Sequence, residues 1–292
     1  MGFAKTIQSL VDCPCMPEIG TLIKYLLSIS VGLLAISLCP LACAETLLYD
    51  DFDGDVVSSF RWHIPSWVSP TDGTVVGLTQ FRFTQESSLP AANNGNAVIV
   101  LDTHNPTALS FLGTDLRSNQ TFELGTGIHI AVRAKVNTIT PGIVGGIFLY
   151  GLKPGSTTYH DEIDFELLTN RPLEAQTNIY SNEKLGTGNV VFVPFSSGSI
   201  ADYHIYEIMW QPDRVSWLID GKLVRTETSR VPTGPMGFHL NIWVPDPGWA
   251  NAYDPGLKPA ASASSNQAFS MSVDWVHIRS IEPPPASGST DP

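Results

Sequence analysis

The sequence is short of cysteine and of basic residues, and each shortage excludes a class of protein. All four cysteines precede Glu45, so most of the 292 residues can form neither a disulfide nor a thiolate metal site. The chain has 16 Lys and Arg against 28 Asp and Glu, a formal net charge of −12. Because phosphate binding needs clustered basic side chains, nucleic acid and anionic membranes are disfavoured as partners. A neutral or cationic ligand is expected.

A sustained helical pattern is also missing after residue 44. Short runs rich in Val, Ile, Phe, Tyr and Trp, such as "NAVIVLD" and "GIHIAVRAKV", are separated by Gly, Pro, Asn and Asp, which is typical of strands. The pair Asp220-Gly221 between two alternating runs predicts a two-residue type I′ hairpin. About ten or more such strands predict an all-β, single-domain antiparallel sandwich.

One long apolar run stands near the start of the chain, in "YLLSISVGLLAISL". It is preceded by Lys24 and followed by small residues up to Ala44, which predicts that residues 1–44 are a secretory signal and that the protein is secreted. Met16 is an alternative start, because it would give a compact charged region ahead of the run. A membrane anchor is disfavoured because it needs about 20 apolar residues and this run breaks at Pro40.

Two further features bound the folded part of the chain. Lipid attachment at Cys43 stays an alternative, although Pro40 stands where a lipoprotein signal normally has Leu. At the other end, "EPPPASGSTDP" is rich in Pro and Ser and has no apolar residue to bury. We therefore expect one domain over residues 45–282 and a disordered tail over 283–292.

The most informative stretch is "YHDEIDFELL", which places acidic residues at every second position. On a strand, this spacing puts Glu162, Asp164 and Glu166 on one face, about 6.6 Å apart per step. The intervening apolar residues fall on the other face and are predicted to pack into the core. They are Ile163, Phe165 and Leu167.

Such a row of like charges is unfavourable for stability, and strands contain few acidic residues, so the row calls for a reason. A solvated acidic face or one edge of a calcium site are the plain explanations. Retaining glycoside hydrolysis needs two carboxyl groups about 5.5 Å apart, one as nucleophile and one as proton donor. A third carboxyl between them can keep one neighbour ionised and the other protonated near neutral pH.

The motif "HDEIDFE" resembles the signature of glycoside hydrolase family 16, the β-jelly-roll enzymes that include lichenases, laminarinases and xyloglucan endotransglycosylases. "LNIWVPDPGW" is similar to the family's Asn-x-Trp segment, and "VDWVHI" to its closing strand. The resemblance implies a concanavalin-like jelly roll. It also implies Glu162 as nucleophile, Asp164 as its electrostatic partner and Glu166 as general acid and base.

The resemblance implies further residues of a substrate cleft. These are Arg133, Tyr150, Asn178, Tyr180, Asn241, Trp243 and Trp249. The two tryptophans suit this role because flat aromatic faces stack on the apolar faces of pyranose rings. Core packing is expected instead for Trp217 and Trp275, while His204 is left open between a buried structural residue and a cleft residue.

No metal or other cofactor is expected for catalysis, since no Cys or His cluster has ligand spacing. The resemblance nevertheless makes Asp274 a candidate ligand for a structural calcium ion on the convex side of the sandwich, with a plain surface aspartate as the alternative. The expected partner is a polysaccharide, with no nucleic acid and no membrane apart from a lipid at Cys43. A monomer is expected.

Substrate choice stays open at this stage. His160 precedes the Asp-Glu pair where lichenases usually have Trp, a feature shared with xyloglucan-active enzymes, yet no cysteine follows Cys43 as in the plant enzymes. Phe165 alone separates Asp164 from Glu166, so we expect a strand without a bulge there. Within the family, this regular form resembles enzymes that cut β-1,4 bonds, so the resemblance implies cleavage of β-1,4 bonds in mixed-linkage β-glucan. Xyloglucan or β-1,3-glucan, transglycosylation, and lectin-like binding without cleavage are the alternatives.

Overall fold

The computed structural model describes residues 44–65, 76–82 and 95–282. The predicted signal, Cys43 and the predicted tail therefore lie outside the described residues, apart from Ala44. Residues 45–281 form one compact unit. None of the helices among the described residues is long and apolar enough to cross a membrane.

The described part of the unit is built almost entirely of strands, as the short β-branched and aromatic runs predict, and it contains one short 3-10 helix at Ala263–Ser265. The strands are β1 (Thr46–Asp50), β2 (Trp62–His63), β3 (Thr79–Phe81), β4 (Ala97–Asp102), β5 (Phe111–Phe122), β6 (Ile128–Val136), β7 (Val144–Leu152), β8 (His160–Leu168), β9 (Glu174–Glu183), β10 (Val191–Pro194), β11 (His204–Gln211), β12 (Arg214–Ile219), β13 (Lys222–Glu227), β14 (Met236–Trp243) and β15 (Ala268–Ser280).

Two antiparallel layers share the long strand β5. The front sheet has the order β10-β9-β8-β7-β14-β5, with β2 also on β5, and the back sheet runs β4-β15-β6-β11-β12-β13, with β1 on β15. The pairing of β3 with β5 is parallel, unlike the other strand pairs described. The predicted all-β antiparallel sandwich is therefore confirmed. Strand β8 lies inside the front sheet, with β7 and β9 as its neighbours.

The core lies between the two sheets and is filled by alternate residues of each strand. From β8 it receives Ile163, Phe165 and Leu167, all fully buried, which confirms the alternation read from the sequence. From the back sheet it receives Trp217, also fully buried, so the expected core role of this tryptophan is confirmed. His204 is buried as well; it stacks on Phe195 and lies 2.7 Å from Asp220 through Nδ1, which makes it a structural residue.

The hairpin between β12 and β13 has the predicted turn. Ile219 pairs with Lys222, and the two residues between them, Asp220 and Gly221, have φ angles of 52° and 74°. Positive φ at both central positions defines the type I′ turn, whose twist matches that of the flanking strands.

The expected core position of Trp275 is wrong, and a bulge in β15 is the reason. The pairing of β15 with β6 shifts register between Val273 and Trp275. Val273 and Val276 are both fully buried, so Asp274 and Trp275 are two consecutive residues on the outer face of the back sheet. A bulge inserts one extra residue and flips the alternation after it, which cannot be read from spacing alone.

Candidate active site

The three acidic residues of β8 form a straight row on the outer face of the front sheet. From Glu162 to Glu166 the strand pairs with both neighbours in unbroken register. The predicted absence of a bulge between Asp164 and Glu166 is therefore confirmed. Like-facing side chains two residues apart on such a strand have Cα atoms about 6.6 Å apart.

Cross-strand pairing sets the neighbours of each carboxyl group, because directly opposed residues point to the same face. One neighbour in β7 and one in β9 flank each member of the row. The three sets are Tyr150–Glu162–Tyr180, Phe148–Asp164–Asn178 and Gly146–Glu166–Gln176. The predicted cleft residues Tyr150, Asn178 and Tyr180 thus lie beside the carboxyl groups; their contact with a substrate stays a prediction.

Strand β14 brings Asn241 and Trp243 to the same face, one strand further from the row. Asn241 pairs with Gly146, and a Cβ atom at this glycine would lie 2.4 Å from the Asn241 Oδ1 atom. Only glycine therefore leaves room for the amide beside Glu166. Trp243 pairs with Val144, and its ring centroid is 5.6 Å from that of Trp249, so the two half-buried indoles lie just beyond the Glu166 end of the row.

Arg133 does not belong to this site, and its predicted place in the cleft is wrong. It lies on β6 in the back sheet, between Val132 and Ala134, which are both fully buried in the core. Its side chain therefore faces outward on the opposite side of the sandwich. There it binds the carboxylate of Asp274 and lies 4.3 Å from the ring centroid of Tyr203.

The same contact bears on the calcium ion predicted at Asp274. One carboxylate oxygen of Asp274 binds the Arg133 guanidinium, whose positive charge would compete with a divalent cation. The described residues contain no group of three or more His, Cys, Asp or Glu side chains placed to hold a metal ion. The donor set around Asp274 is thus a poor fit for calcium, and the ion stays a prediction.

Burial and mutual repulsion make the row partly protonated. Burial raises the pKa of Asp164 well above its ordinary value, and the charges of Glu162 and Glu166 add to the effect, as does a side-chain hydrogen bond with Glu162. Burial likewise raises the pKa of Glu166 to about 8, helped by the Glu162 charge and opposed by the amide of Gln176, which donates to Glu166. Near neutral pH the row can therefore hold protons on Asp164 and Glu166.

His160 lies at the other end of the row. Its Nε2 atom is 2.9 Å from Glu162 Oε2, and its ring lies against Tyr150 and Tyr180, with centroids 5.2 and 4.7 Å apart. Burial lowers the pKa of His160, but the contact and charge of Glu162 outweigh this, so the net shift is upward. The contact with Glu162 thus favours the imidazolium form of His160.

Three residues that support the row were not identified as doing so from the sequence. Gln176 shares a face with Asn178 and Tyr180, so strict alternation along β9 was a usable signal for it. Trp217 donates its indole N–H to the Asp164 carbonyl oxygen at 3.0 Å, and Arg225 lies 4.4 Å from the Trp217 ring centroid. Both come from the back sheet through the core, Trp217 to β8 and Arg225 to Thr177 of β9, which local spacing does not reveal.

Comparison with known proteins agrees with this geometry. The family model "Glycosyl hydrolases family 16" matches residues 78–277. A β-glucanase of Acetivibrio thermocellus is 28% identical over 210 residues, covering 71% of this chain and 57% of that protein. A β-glucanase of Bacillus subtilis strain 168 is 36% identical over 131 residues, covering 44% of this chain and 50% of that protein. The chain thus spans about half the length of these relatives.

Among solved structures, a prokaryotic β-1,3-1,4-glucanase (lichenase) derived from a mouse hindgut metagenome superposes with a TM-score of 0.61 at 26% identity. The match covers 79% of this chain and 97% of that one. A laminarinase catalytic domain from Thermotoga petrophila has a TM-score of 0.63 at 19% identity, covers 82% and 99% of the two chains, and shows likeness of fold.

The raised pKa of Glu166 predicts how stability changes with pH. Because its folded-state pKa of about 8 exceeds the ordinary 4.5, the folded protein binds more protons than the unfolded chain between these values. The free energy of unfolding should therefore fall as pH rises through this window. The variant Glu166→Gln cannot ionise, so its stability relative to wild type should rise from pH 4.5 to 8 and then level off.

Urea denaturation of both proteins at a series of pH values measures this difference. The exposed Glu123 gives a matched control, Glu123→Gln, whose difference from wild type should stay flat. A flat difference for Glu166→Gln as well would contradict the protonated state assigned to Glu166.

Proposed function

The chain belongs to glycosyl hydrolase family 16, and from that premise we propose that it is a secreted, retaining endo-β-glucanase that acts by double displacement. The observation that carries the proposal is the straight row of Glu162, Asp164 and Glu166 with unequal protonation. Chemistry by this route needs one ionised and one protonated carboxyl group on the same face. A pure binding protein has no need for that pair.

In the first step, ionised Glu162 attacks the anomeric carbon as Glu166 gives its proton to the departing glycosidic oxygen, and the carbon–oxygen bond to the leaving sugar breaks. The product is a glycosyl ester on Glu162. In the second step, the Glu166 carboxylate takes a proton from water, which attacks the anomeric carbon and releases Glu162. Two inversions leave the anomeric configuration unchanged.

The electrostatics of the row favour this proton cycle. The Glu162 charge is one of the causes that hold the Glu166 proton in place. When Glu162 becomes a neutral ester, that cause disappears and Glu166 loses its proton more readily, as its role as base in the second step requires. Buried Asp164, protonated and hydrogen-bonded to Glu162, stabilises the ionised nucleophile between turnovers.

The proposed substrate is mixed-linkage β-1,3-1,4-glucan, cut at β-1,4 bonds. Support comes from the row without a bulge, from the lichenase at 26% identity and from the β-glucanase relatives. The two half-buried indoles of Trp243 and Trp249 offer stacking surface near Glu166, the proton donor.

His160 instead matches xyloglucan-active enzymes, so transglycosylation of xyloglucan is the second candidate. Export through the signal at residues 1–44 stays part of the proposal.

Replacement of the nucleophile tests whether the chain cleaves glycans at all. Glu162→Gln keeps the side-chain size but cannot form the glycosyl ester, so release of reducing sugar from barley β-glucan should fall by more than about 10³-fold. Binding of the glucan, measured in parallel by affinity electrophoresis, should persist. The control Glu123→Gln should match wild type in both assays. Activity of Glu162→Gln within tenfold of wild type would remove Glu162 from this role.

Replacement of the acid tests the assignment of Glu166. Glu166→Ala should lose about 10²- to 10⁴-fold in turnover of a polysaccharide. With an aryl glycoside that has a good leaving group, the first step needs little protonation, so the loss in the rate of glycosyl-ester formation should be much smaller. Stopped-flow measurement of phenolate release gives the rate on the aryl glycoside for wild type and variant, and release of reducing sugar gives the rate on the polysaccharide. Equal losses on both substrates would argue against Glu166 as the proton donor.

Product analysis tests mechanism and linkage separately. Proton NMR of the first anomer formed from barley β-glucan should show the β configuration, and laminarin, a β-1,3-glucan, should be cut slowly in a parallel reaction. An α-anomer as first product would overturn the double displacement. Fast laminarin cleavage would overturn only the linkage, and products longer than the starting oligosaccharide would favour transglycosylation.

A further inference from the structure

A groove of about 440 Å³ lies on the outer face of the back sheet, on the side of the sandwich opposite the carboxylate row. Such a volume falls within the roughly 300–1,000 Å³ that small-molecule sites occupy. Its walls combine one indole with polar side chains. The main lining residues are His129, Ile205, Glu207, Trp275, His277 and Arg279.

The indole reaches this groove because of the bulge in β15. In strict alternation Trp275 would point into the core; the register shift after Val273 turns it outward, where it stays half-buried. Bulges commonly re-aim a side chain at functional positions. The part of the indole that stays exposed at the wall of the groove offers an apolar surface that a ligand can cover.

The polar walls are held in fixed positions before any ligand arrives. Arg279 Nε donates to His129 Nδ1 at 3.0 Å, which leaves the proton of the neutral imidazole on Nε2 to be donated to Glu207 Oε2 at 2.8 Å. The Gly221 backbone N–H donates to the other oxygen of Glu207 at 3.1 Å. The groups are planar and ordered by one another, so little side-chain entropy is lost when a ligand donates to Glu207 or accepts from Arg279.

This combination selects a class of ligand. A flat indole beside preordered carboxylate and guanidinium groups suits a sugar ring, which has apolar faces and hydroxyl groups at its edge. The carboxylate of Glu207 disfavours an anion, and the described residues offer no cluster of three metal-binding side chains here or elsewhere. Tyr49, 47% exposed and in edge contact with His277 at 5.5 Å, extends the aromatic surface along β15.

We propose that this groove is a second, non-catalytic binding site for a neutral polysaccharide chain, with Trp275 as its stacking platform. That the bound polysaccharide is a soluble β-glucan rests on the proposed function. A site on the opposite side of the sandwich holds the protein on a long polymer while the carboxylate row cuts elsewhere along it, and raises the effective concentration of cleavable bonds. Short oligosaccharides cannot span both sites and gain nothing from it.

The test uses Trp275→Ala in two backgrounds. In the Glu162→Gln protein, affinity electrophoresis in barley β-glucan should show binding weakened roughly 5- to 10-fold. In the active protein, kcat/KM should fall several-fold on the polymer and stay within about twofold on a β-glucan tetrasaccharide. Phe60, which is 88% exposed, gives the matched control Phe60→Ala, expected to change neither readout.

A second measurement does not depend on the folding of Trp275→Ala. In the ¹⁵N-labelled Glu162→Gln protein, the indole N–H resonance of Trp275, assigned with Trp275→Phe, should shift on titration with a cellotetraose-type oligosaccharide. Unchanged polymer binding in Trp275→Ala, or an indole resonance that stays in place, would overturn the proposal. Equal loss of activity on polymer and tetrasaccharide would point to a structural role and overturn it too.

These results separate the proposal from the function on which it rests. If wild type cleaves no β-glucan but the Trp275 resonance shifts with the oligosaccharide, the groove stands and the enzymatic proposal fails. If cleavage is normal and the resonance does not shift, the proposal of a second binding site is wrong and the proposed function is unaffected.

Discussion

The structure depends on one electrostatic constraint: three carboxyl groups at alternate positions of β8 cannot all be ionised in so small and buried a space. Asp164 is only 3% exposed, so its charge would be costly, and its neighbours on either side would add repulsion. The raised pKa values of Asp164 and Glu166 ease the conflict, and the third carboxyl group, Glu162, lies 2.9 Å from His160. In the proposed function, the division of roles between nucleophile and acid follows from the raised pKa of Glu166.

Behind the row, the core supplies an opposing charge. The Arg225 guanidinium is buried between the sheets, where Nη1 donates to the carbonyl and hydroxyl oxygens of Thr177 at 3.0 and 2.9 Å. Its charge lowers the pKa of Asp164 and so limits the rise caused by burial. Trp217 lies between this cation and β8 and binds the Asp164 carbonyl oxygen. A buried cation is expensive unless paired, and the stacking, the two Thr177 bonds and Glu227 at 3.8 Å together stabilise it.

The parts of the fold that alternation controls could be predicted from the sequence; the parts that depend on register could not. The face of Glu162 follows from a period of two, and the turn at Asp220-Gly221 follows from the need for two positive φ angles. Trp275 was misplaced because the bulge at Asp274 leaves no mark in the spacing of apolar residues. Arg133 was misplaced because a family match assigns a position along the chain, and only strand pairing shows which sheet the position occupies.

His160 lies beside Glu162 because the two residues are two apart on β8, whose pairing with β7 is unbroken from His160 to Leu168. The pairing of β8 with β9 shifts between His160 and Glu162, which pair with Glu183 and Tyr180, so the extra residue belongs to β9, where Asn182 has a φ angle of 54°. The Asp161 carboxylate, only 1% exposed, binds Lys153 and accepts backbone N–H groups of Asn182 at 2.7 Å and Gly234 at 2.8 Å. These contacts fix the bulge in place, and a fixed bulge fixes the strand direction on either side of it. A buried carboxylate that takes no part in the row thus holds the bulge of β9 in place, while the register of the row itself stays unbroken.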